Sequence, residues 1–184
     1  MRKFLTAALL LVVATIAHGD DLLFPQPAEL DRDVGFWLSI FTEYTTREGV
    51  LHDSRNLAVV YEKVPLPENA SRRQRQRVSD QRRQHYKRIL QKLASGERTG
   101  LSTEEQRVLD LWPDDVTNKE LTAAVSQIRF QLGLSDRFQE GLRRAGRYRE
   151  HINREFIRLG VPIELGALPH VESSYNTDAR SHVG

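Results

Sequence analysis

The segment best suited to chemistry lies near the end of the sequence, where a single acid follows an apolar run. Glu172 comes directly after LGALPHV and is followed by Ser173 and Ser174. Residues 163–171 are apolar nearly all round, which predicts a helix buried in a core, and Glu172 would end that helix. Burial and the negative end of the helix dipole both disfavour an ionised carboxylate. Glu172 is therefore a candidate general acid, and the alternative is a turn glutamate with its head in solvent.

A second carboxyl group is not well placed to act with Glu172. Glycosidases that use two carboxyl groups hold them about 5–5.5 Å apart when they retain configuration and about 6.5–9.5 Å apart when they invert it. Glu164 is eight residues upstream, which corresponds to about 12 Å along a continuous helix. Asp178 follows in a predicted turn, where capping is the ordinary role of aspartate. The sequence therefore favours a mechanism with one acid.

Other kinds of site fit the sequence poorly. The His-x-Glu arrangement formed by His170 and Glu172 occurs in zinc deaminases, but their metal also needs two cysteines and this chain has none. His151 and Glu155 share a helix face, yet without a third ligand a surface salt pair is the better interpretation. The serines after Glu172 lack the Gly-x-Ser-x-Gly of a nucleophile elbow. We expect no metal and no cofactor.

The first residues of the chain resemble an export signal. Arg2 and Lys3 precede an uncharged apolar run, and Ala17-His18-Gly19 gives the small-x-small pattern of a cleavage site. The apolar run is shorter than the roughly 18–20 residues that span a bilayer. We therefore predict a signal peptide over residues 1–19, a proline-containing linker over residues 20–30, and an exported protein in the periplasm or associated with the envelope.

The charge of the expected mature chain is balanced, but one segment is strongly basic. Residues 71–92 contain nine basic residues and one acid, Asp80. One interpretation is a basic face that binds an anionic envelope surface. The favoured alternative is a solvated helix that packs through Val78, Tyr86, Ile89 and Leu93, while the long arginine stems cover its flanks. An exported chain rarely meets nucleic acid, so we expect no nucleic-acid partner.

The helix-start and helix-stop signals in the rest of the sequence predict mainly helices. Capping boxes open helices at Ser102 and Thr117, the second running to Leu132, and a longer helix is predicted from Ser135 to Gly160. Residues 50–64 also fit a small hairpin, with Asp53-Ser54-Arg55-Asn56 as its turn. The fold class expected from these patterns is all-α, held by a core because there are no cysteines to form disulfides.

The end of the chain resembles a known enzyme family. The segment ESSYNTDARSHVG, which starts at Glu172, is similar to the opening of the catalytic domain of soluble-type (SLT) lytic murein transglycosylases, whose pattern is Glu-Ser-x-aromatic-Asn/Asp-Pro-x-Ala-x-Ser-x-x-Gly. The segment that begins IRFQLGLSDRF at Ile128 resembles the helical lead-in of the membrane-bound transglycosylase D branch. The resemblance covers residues 31–184 and is strongest from Ile128 onward.

This resemblance implies an activity and a set of residues. In similar enzymes one glutamate protonates the bond between N-acetylmuramic acid and N-acetylglucosamine and then takes the proton of the muramyl C6 hydroxyl, which closes a 1,6-anhydro ring. By resemblance Glu172 is this acid and base. Ser173, Ser174 and Tyr175 would contact the glycan strand of peptidoglycan or orient the acid.

The resemblance also implies a division of the chain and an alternative function. Residues 31–127 would be a helical N-terminal region with a basic helix, and residues 128–184 the start of a lysozyme-like domain. The cleft segments that follow the glutamate in that family have no counterpart here, so we expect an N-terminal portion of a longer enzyme. Thr177 replaces the usual proline. The alternative is a non-catalytic helical module that binds cell wall or another protein.

Overall fold

The computed structural model describes residues 24, 25 and 27–176. The predicted signal peptide over residues 1–19, the first part of the linker, Asp178 and the rest of residues 177–184 lie outside the described residues. The chain divides into two compact units, with the boundary after Asp31. The described part of the first unit contains a 3₁₀-helix, Ala28–Leu30, closed by a hydrogen bond from the Leu30 amide to the Pro27 carbonyl oxygen.

Helices dominate the described residues, but a sheet is also present. The α-helices are α1 (Asp31–Thr42), α2 (Arg72–Ala94), α3 (Thr103–Leu109), α4 (Asn118–Ala124), α5 (Ser135–Ala145), α6 (Arg149–Leu159) and α7 (Leu168–Glu172). The strands are β1 (Glu48–Asp53), β2 (Val60–Pro65) and β3 (Ile128–Leu132), and a second 3₁₀-helix is Ile163–Ala167. No helix in the described part is both long and apolar enough to cross a membrane.

The three strands form one antiparallel sheet in the order β2-β1-β3, so the all-α expectation is wrong. In the centre Leu51 pairs with Glu62 on one side and Phe130 on the other. The hairpin over residues 50–64 is confirmed. Its two strands are connected by residues 54–59, which is longer than the predicted four-residue turn. Asp53 fixes the start of that turn because its carboxylate accepts hydrogen bonds from the amides of Arg55 and Asn56, at 2.8 and 3.0 Å.

Strand β3 replaces the second half of a predicted helix. The sequence predicts helix from Thr117 to Leu132, but α4 ends at Ala124 and the chain then becomes extended. The apolar residues Ile128, Phe130 and Leu132 also fit a period of two, and the open edge of β1 offers hydrogen bonds to an extended backbone. Pairing with β1 therefore overrides the local helical pattern.

Helix α2 packs on this sheet in the way the favoured interpretation of the basic segment predicts. Tyr86, Ile89 and Leu93 are buried, and Val78 packs against the same core. The Tyr86 ring stacks on Tyr61 of β2 with 5.5 Å between ring centroids. The basic flank is tied down in part, because Arg82 makes a bidentate ion pair with Glu62 at 2.6 and 2.7 Å.

The predicted capping boxes are confirmed at the starts of α3 and α4. Ser102 and Glu105 exchange side-chain and backbone hydrogen bonds, and Thr117 and Glu120 do the same. Glu105 also binds Lys92 of α2 at 2.8 Å. The Lys92 ammonium, together with the Ser102 amide, lowers the pKa of Glu105 to about 2.

The long helix predicted from Ser135 to Gly160 is broken into α5 and α6. The amides of Arg147 and Tyr148 bond to the carbonyl oxygens of Arg144 and Ala145, which tightens the chain into a turn around Gly146. Glycine is a poor helix former, so a break there costs little. The predicted end of the helix is confirmed, since Gly160 adopts a left-handed conformation with φ of 67°.

Candidate active site around Glu172

The segment before Glu172 is helical, but not as one buried helix. The 3₁₀-helix Ile163–Ala167 passes into α7, which ends at Glu172 as expected. Pro169 lies in the first turn of α7, where the amide that proline lacks would have no helical partner. The chain changes from 3₁₀ to α geometry just before Pro169.

The predicted burial of this segment is wrong. Ile163, Leu168 and Val171 are 50%, 53% and 58% exposed, and Glu172 is exposed as well. Glu172 makes no hydrogen bond or ion pair with the residues that the structure describes. Among the described residues, the apolar composition that predicts a core helix thus forms an exposed apolar surface.

The turn that follows Glu172 has an unusual backbone. Ser174 and Tyr175 both have positive φ, at 51° and 55°. The left-handed region is uncommon for residues other than glycine and is strained for an aromatic residue. The amides of Ser173 and Tyr175 both bond to the carbonyl oxygen of Pro169, at 3.1 and 3.3 Å, and these bonds wrap the turn back on α7.

Three further hydrogen bonds hold the same turn. Arg144 of α5 donates from Nε to the Ser174 carbonyl oxygen at 2.9 Å. The Ser174 hydroxyl donates to the His170 carbonyl oxygen at 3.1 Å. The Tyr175 hydroxyl donates to the Gly166 carbonyl oxygen at 2.7 Å. The turn beside Glu172 is therefore anchored to α5, to α7 and to the preceding 3₁₀-helix.

A glycine on α5 allows the close approach of this turn. A Cβ at Gly141 would lie 3.0 Å from the Ser174 Cβ, tighter than ordinary van der Waals contact. Gly141 is buried although it lies within a helix, where glycine is otherwise unfavourable. The glycine thus gives α5 the space to pack against the turn.

Aromatic rings extend from this turn to α1. Tyr175 stacks on Tyr148 with nearly parallel rings, 6.2 Å between centroids, and meets the His170 ring edge-on at 4.7 Å. His170 packs in turn on Phe138, and Phe138 on Phe41 of α1, each at 5.5 Å. Such contacts fix ring positions beyond what buried area alone provides. The turn is therefore continuous with the packing of α5 and α1.

His170 enters this row with one polar atom unsatisfied. Its Nδ1 is buried and has no hydrogen-bond partner among the described residues. Burial lowers the pKa of His170, because the charged imidazolium loses solvation. The side chain thus acts as a neutral ring between Phe138 and Tyr175 rather than as a charge next to Glu172.

The residues of the Glu-Ser motif lie together in the structure, but they differ in whether hydrogen bonds hold their side chains. The hydroxyls of Ser174 and Tyr175 are both used inside the turn. The Ser173 hydroxyl has no partner among the described residues, and neither does the Glu172 carboxylate. The resemblance implies that these residues either contact the glycan strand or orient the acid. Contact with the glycan through a free hydroxyl therefore fits Ser173 best.

The other predicted site residues are separate from this turn. Glu164 is exposed in the 3₁₀-helix. The suggested salt pair of Glu155 with His151 does not form, because Glu155 pairs with Arg158 at 2.7 Å. Within the described residues, no group of three or more histidine or acidic side chains could hold a metal ion.

The residues that hold the turn, namely Arg144, Gly141 and Tyr148, are not among those that the sequence patterns predict. Only Gly141 carries a signal, since an isolated glycine inside a helical pattern often marks a close approach.

Comparison with protein families, with curated proteins and with solved structures finds no match for this chain.

Proposed function

We propose that this chain carries the acid-bearing segment of an exported peptidoglycan lytic transglycosylase, with Glu172 as its single general acid and base. Its substrate is the glycan strand of peptidoglycan, and it works in the periplasm or at the envelope without cofactor or nucleic acid. The proposal rests on the similarity of residues 128–184 to that enzyme family and on the geometry of the turn at Glu172.

The proposed reaction needs one carboxyl group because the substrate supplies the nucleophile. Glu172 gives its proton to the glycosidic oxygen, the bond from that oxygen to the muramyl C1 breaks, and N-acetylglucosamine leaves with the proton. The muramyl C6 oxygen bonds to C1, and its proton passes to the Glu172 carboxylate. The acid is regenerated, a 1,6-anhydro ring is formed and no water is consumed.

The observation that carries the proposal is the anchored turn after Glu172. Two consecutive non-glycine residues, Ser174 and Tyr175, are left-handed, and hydrogen bonds from three directions hold them. Backbone strain of this kind persists only where the surroundings fix it, and it clusters at functional sites. The backbone next to Glu172 is therefore held in place, which favours a defined position for a proton donor.

The exposure of Glu172 favours a second candidate, the non-catalytic module that binds cell wall or another protein. A solvated carboxylate next to the exposed side chains of Ile163, Leu168 and Val171 resembles a binding surface with a polar rim. For the catalytic proposal, a glycan strand bound across this surface has to remove water from Glu172.

Digestion of peptidoglycan separates the two candidates. The purified chain is incubated with intact murein sacculi, and soluble products are identified by chromatography and mass spectrometry. Catalysis is expected to release 1,6-anhydro muropeptides, each lighter by one water than the hydrolysed product. A Glu172→Gln variant should release none, since the amide has no proton to give at neutral pH.

Glu164→Gln is the matched control for Glu172→Gln. Glu164 is also exposed, lies in the same segment and loses the same charge. We expect it to retain the wild-type product yield. Binding of the chain to sacculi without release of anhydro products, unchanged by Glu172→Gln, supports the binding module and excludes catalysis by this chain.

A further inference from the structure

A cavity of about 190 Å³ lies between the basic helix α2 and strand β3, and no residue of the Glu172 turn lines it. One face of α2 lines it with Arg72, Arg75, Gln76, Ser79 and Arg83, which apart from the adjacent Arg75 and Gln76 are three or four residues apart. Phe130 and Leu132, two residues apart on one face of β3, form its apolar wall. We call this cavity the arginine pocket.

The charge of the arginine pocket is only partly neutralised. Arg83 pairs with Asp80 at 2.7 Å and bonds to the Ser79 hydroxyl at 3.2 Å. Arg75 donates to the Ala70 carbonyl oxygen, a neutral partner. Arg72 has no partner among the described residues. Asp80 is the only acidic residue of α2, so two guanidinium groups at the pocket have no carboxylate to balance them.

The walls of the pocket strengthen this positive potential. Phe130 packs so tightly over β1 that a Cβ at Gly49 would lie 2.2 Å from its Cζ, which keeps this apolar wall in place. A low-dielectric wall beside cationic groups focuses the field and attracts anions. Arg72 is the first residue of α2, so the positive end of the helix dipole adds to the same potential.

We propose that the arginine pocket binds the phosphate group of a phosphate monoester. The planar guanidinium fork gives paired hydrogen bonds to phosphate oxygens, and a phosphate monoester offers three such oxygens to the three arginines. The Ser79 hydroxyl supplies a fourth polar group on the same wall. Phe130 and Leu132 face the apolar part of the ester. The ester is either a soluble molecule or the headgroup of an anionic lipid.

Titration calorimetry with phenyl phosphate tests the soluble source, and co-sedimentation with phosphatidylcholine vesicles containing phosphatidic acid tests the lipid source. Vesicles of phosphatidylcholine alone give the baseline. We expect saturable binding in at least one arm, weakened by added salt. Binding of phenyl phosphate identifies a soluble ester as an adequate ligand, and binding of the phosphatidic acid vesicles alone identifies the lipid headgroup.

The double variant Arg72→Gln with Arg75→Gln removes the two unbalanced charges of the pocket. Its affinity should fall about tenfold or more, as expected from losing hydrogen bonds to a charged group. The matched control is Arg73→Gln with Arg77→Gln, which removes the same charge from the same turns of α2 at exposed positions that do not line the pocket. The control should keep its affinity within about twofold.

Arg72→Gln alone guards against a folding artefact, since Arg72 makes no bond within the described residues. It should weaken binding while leaving the thermal unfolding midpoint unchanged. Equal losses of affinity in the pocket and control variants would overturn the proposal, because they would indicate general attraction to a basic helix. Absence of saturable binding in both arms would overturn it as well. Neither outcome bears on peptidoglycan cleavage at Glu172.

Discussion

Arg144 donates a hydrogen bond from Nε to the carbonyl oxygen of Ser174 over 2.9 Å, and this bond ties α5 to the turn that follows Glu172. The two residues are thirty positions apart in the sequence. The Arg144 guanidinium Nη1 also lies 3.7 Å from the Glu140 carboxylate Oε2 on the same helix. The turn beside Glu172 is therefore held by a helix that contributes no group to the proposed chemistry.

Removing this bond should loosen the turn. In Arg144→Ala the Ser174 carbonyl loses a charged donor, a change worth about 1–2 kcal/mol. Amide exchange at Ser173 and Tyr175 should speed up about tenfold, while amides in β1 keep their protection. Hydrogen exchange followed by NMR measures both. Arg143→Ala, an exposed neighbour on α5, should leave the turn unchanged, and equal protection in the two variants would contradict the role of Arg144.

Filling the space at Gly141 should displace the same turn by another route. In Gly141→Ala the new methyl group meets Ser174 at 3.0 Å, and the hydrogen bonds of Ser174 resist its withdrawal. We expect faster exchange at the Asn176 amide, which bonds to the Ser173 carbonyl oxygen at 2.9 Å. Gly146→Ala is the control, because its new methyl group meets only ordinary contact at 3.5 Å. Unaltered exchange at the Asn176 amide in Gly141→Ala would show that the packing accommodates the extra methyl group, and would contradict the predicted displacement of the turn.

Two other glycines should respond oppositely to alanine. A Cβ at Gly49 would meet the Phe130 ring and, at 2.8 Å, the Gln131 carbonyl oxygen, whereas a Cβ at Gly35 meets nothing within 4 Å. Urea unfolding should therefore show Gly49→Ala to be destabilised by about 2 kcal/mol. Gly35→Ala in α1 should gain about 0.5–1 kcal/mol from helix propensity. A neutral Gly49→Ala would contradict the register of β1 with β3.

The ion pair of Glu105 with Lys92 should make stability depend on acidity. Lys92 and the Ser102 amide hold the pKa of Glu105 at about 2, below its ordinary 4.5. The depressed pKa means that this stabilisation is present above about pH 4.5 and is lost as pH falls toward 2. The urea midpoint of the wild type should fall across that window more steeply than that of Glu105→Gln.

Glu97→Gln is the control for the acid dependence. Glu97 approaches the same lysine only at 3.9 Å and is largely exposed. Its removal should leave the slope of midpoint against pH close to that of the wild type. Parallel slopes for wild type and Glu105→Gln would place the acid sensitivity elsewhere in the chain.

Local signals predicted much of the helical structure. Capping boxes at Ser102 and Thr117 were reliable because each satisfies its backbone donors within four residues. Strand β3 could not be predicted this way, because Ile128 and Leu132 fit both periods and only the distant edge of β1 decides between them. The same limit explains the all-α expectation.

The candidate site could be located from sequence, but its surroundings could not. An apolar run before Glu172 predicts burial only if another element covers it, and in the described residues Leu168 and Val171 remain exposed. The hydrogen bond from Arg144 to Ser174 depends on how α5 is placed relative to the chain that follows the break at Gly146, and no local pattern encodes this placement. The position of Glu172 at the end of a helix, in contrast, agrees with the point where the apolar run stops.

The origin of the oxygen at the muramyl C1 of the products shows whether Glu172 acts as the single acid and base. Sacculi are digested by the wild-type chain in water enriched in heavy oxygen, and the products are analysed by mass spectrometry. Proton transfer at Glu172 with closure by the C6 hydroxyl should give anhydro products without label, and Glu172→Gln should give none. Labelled, hydrolysed ends, or the same unlabelled products from Glu172→Gln, would contradict the claim.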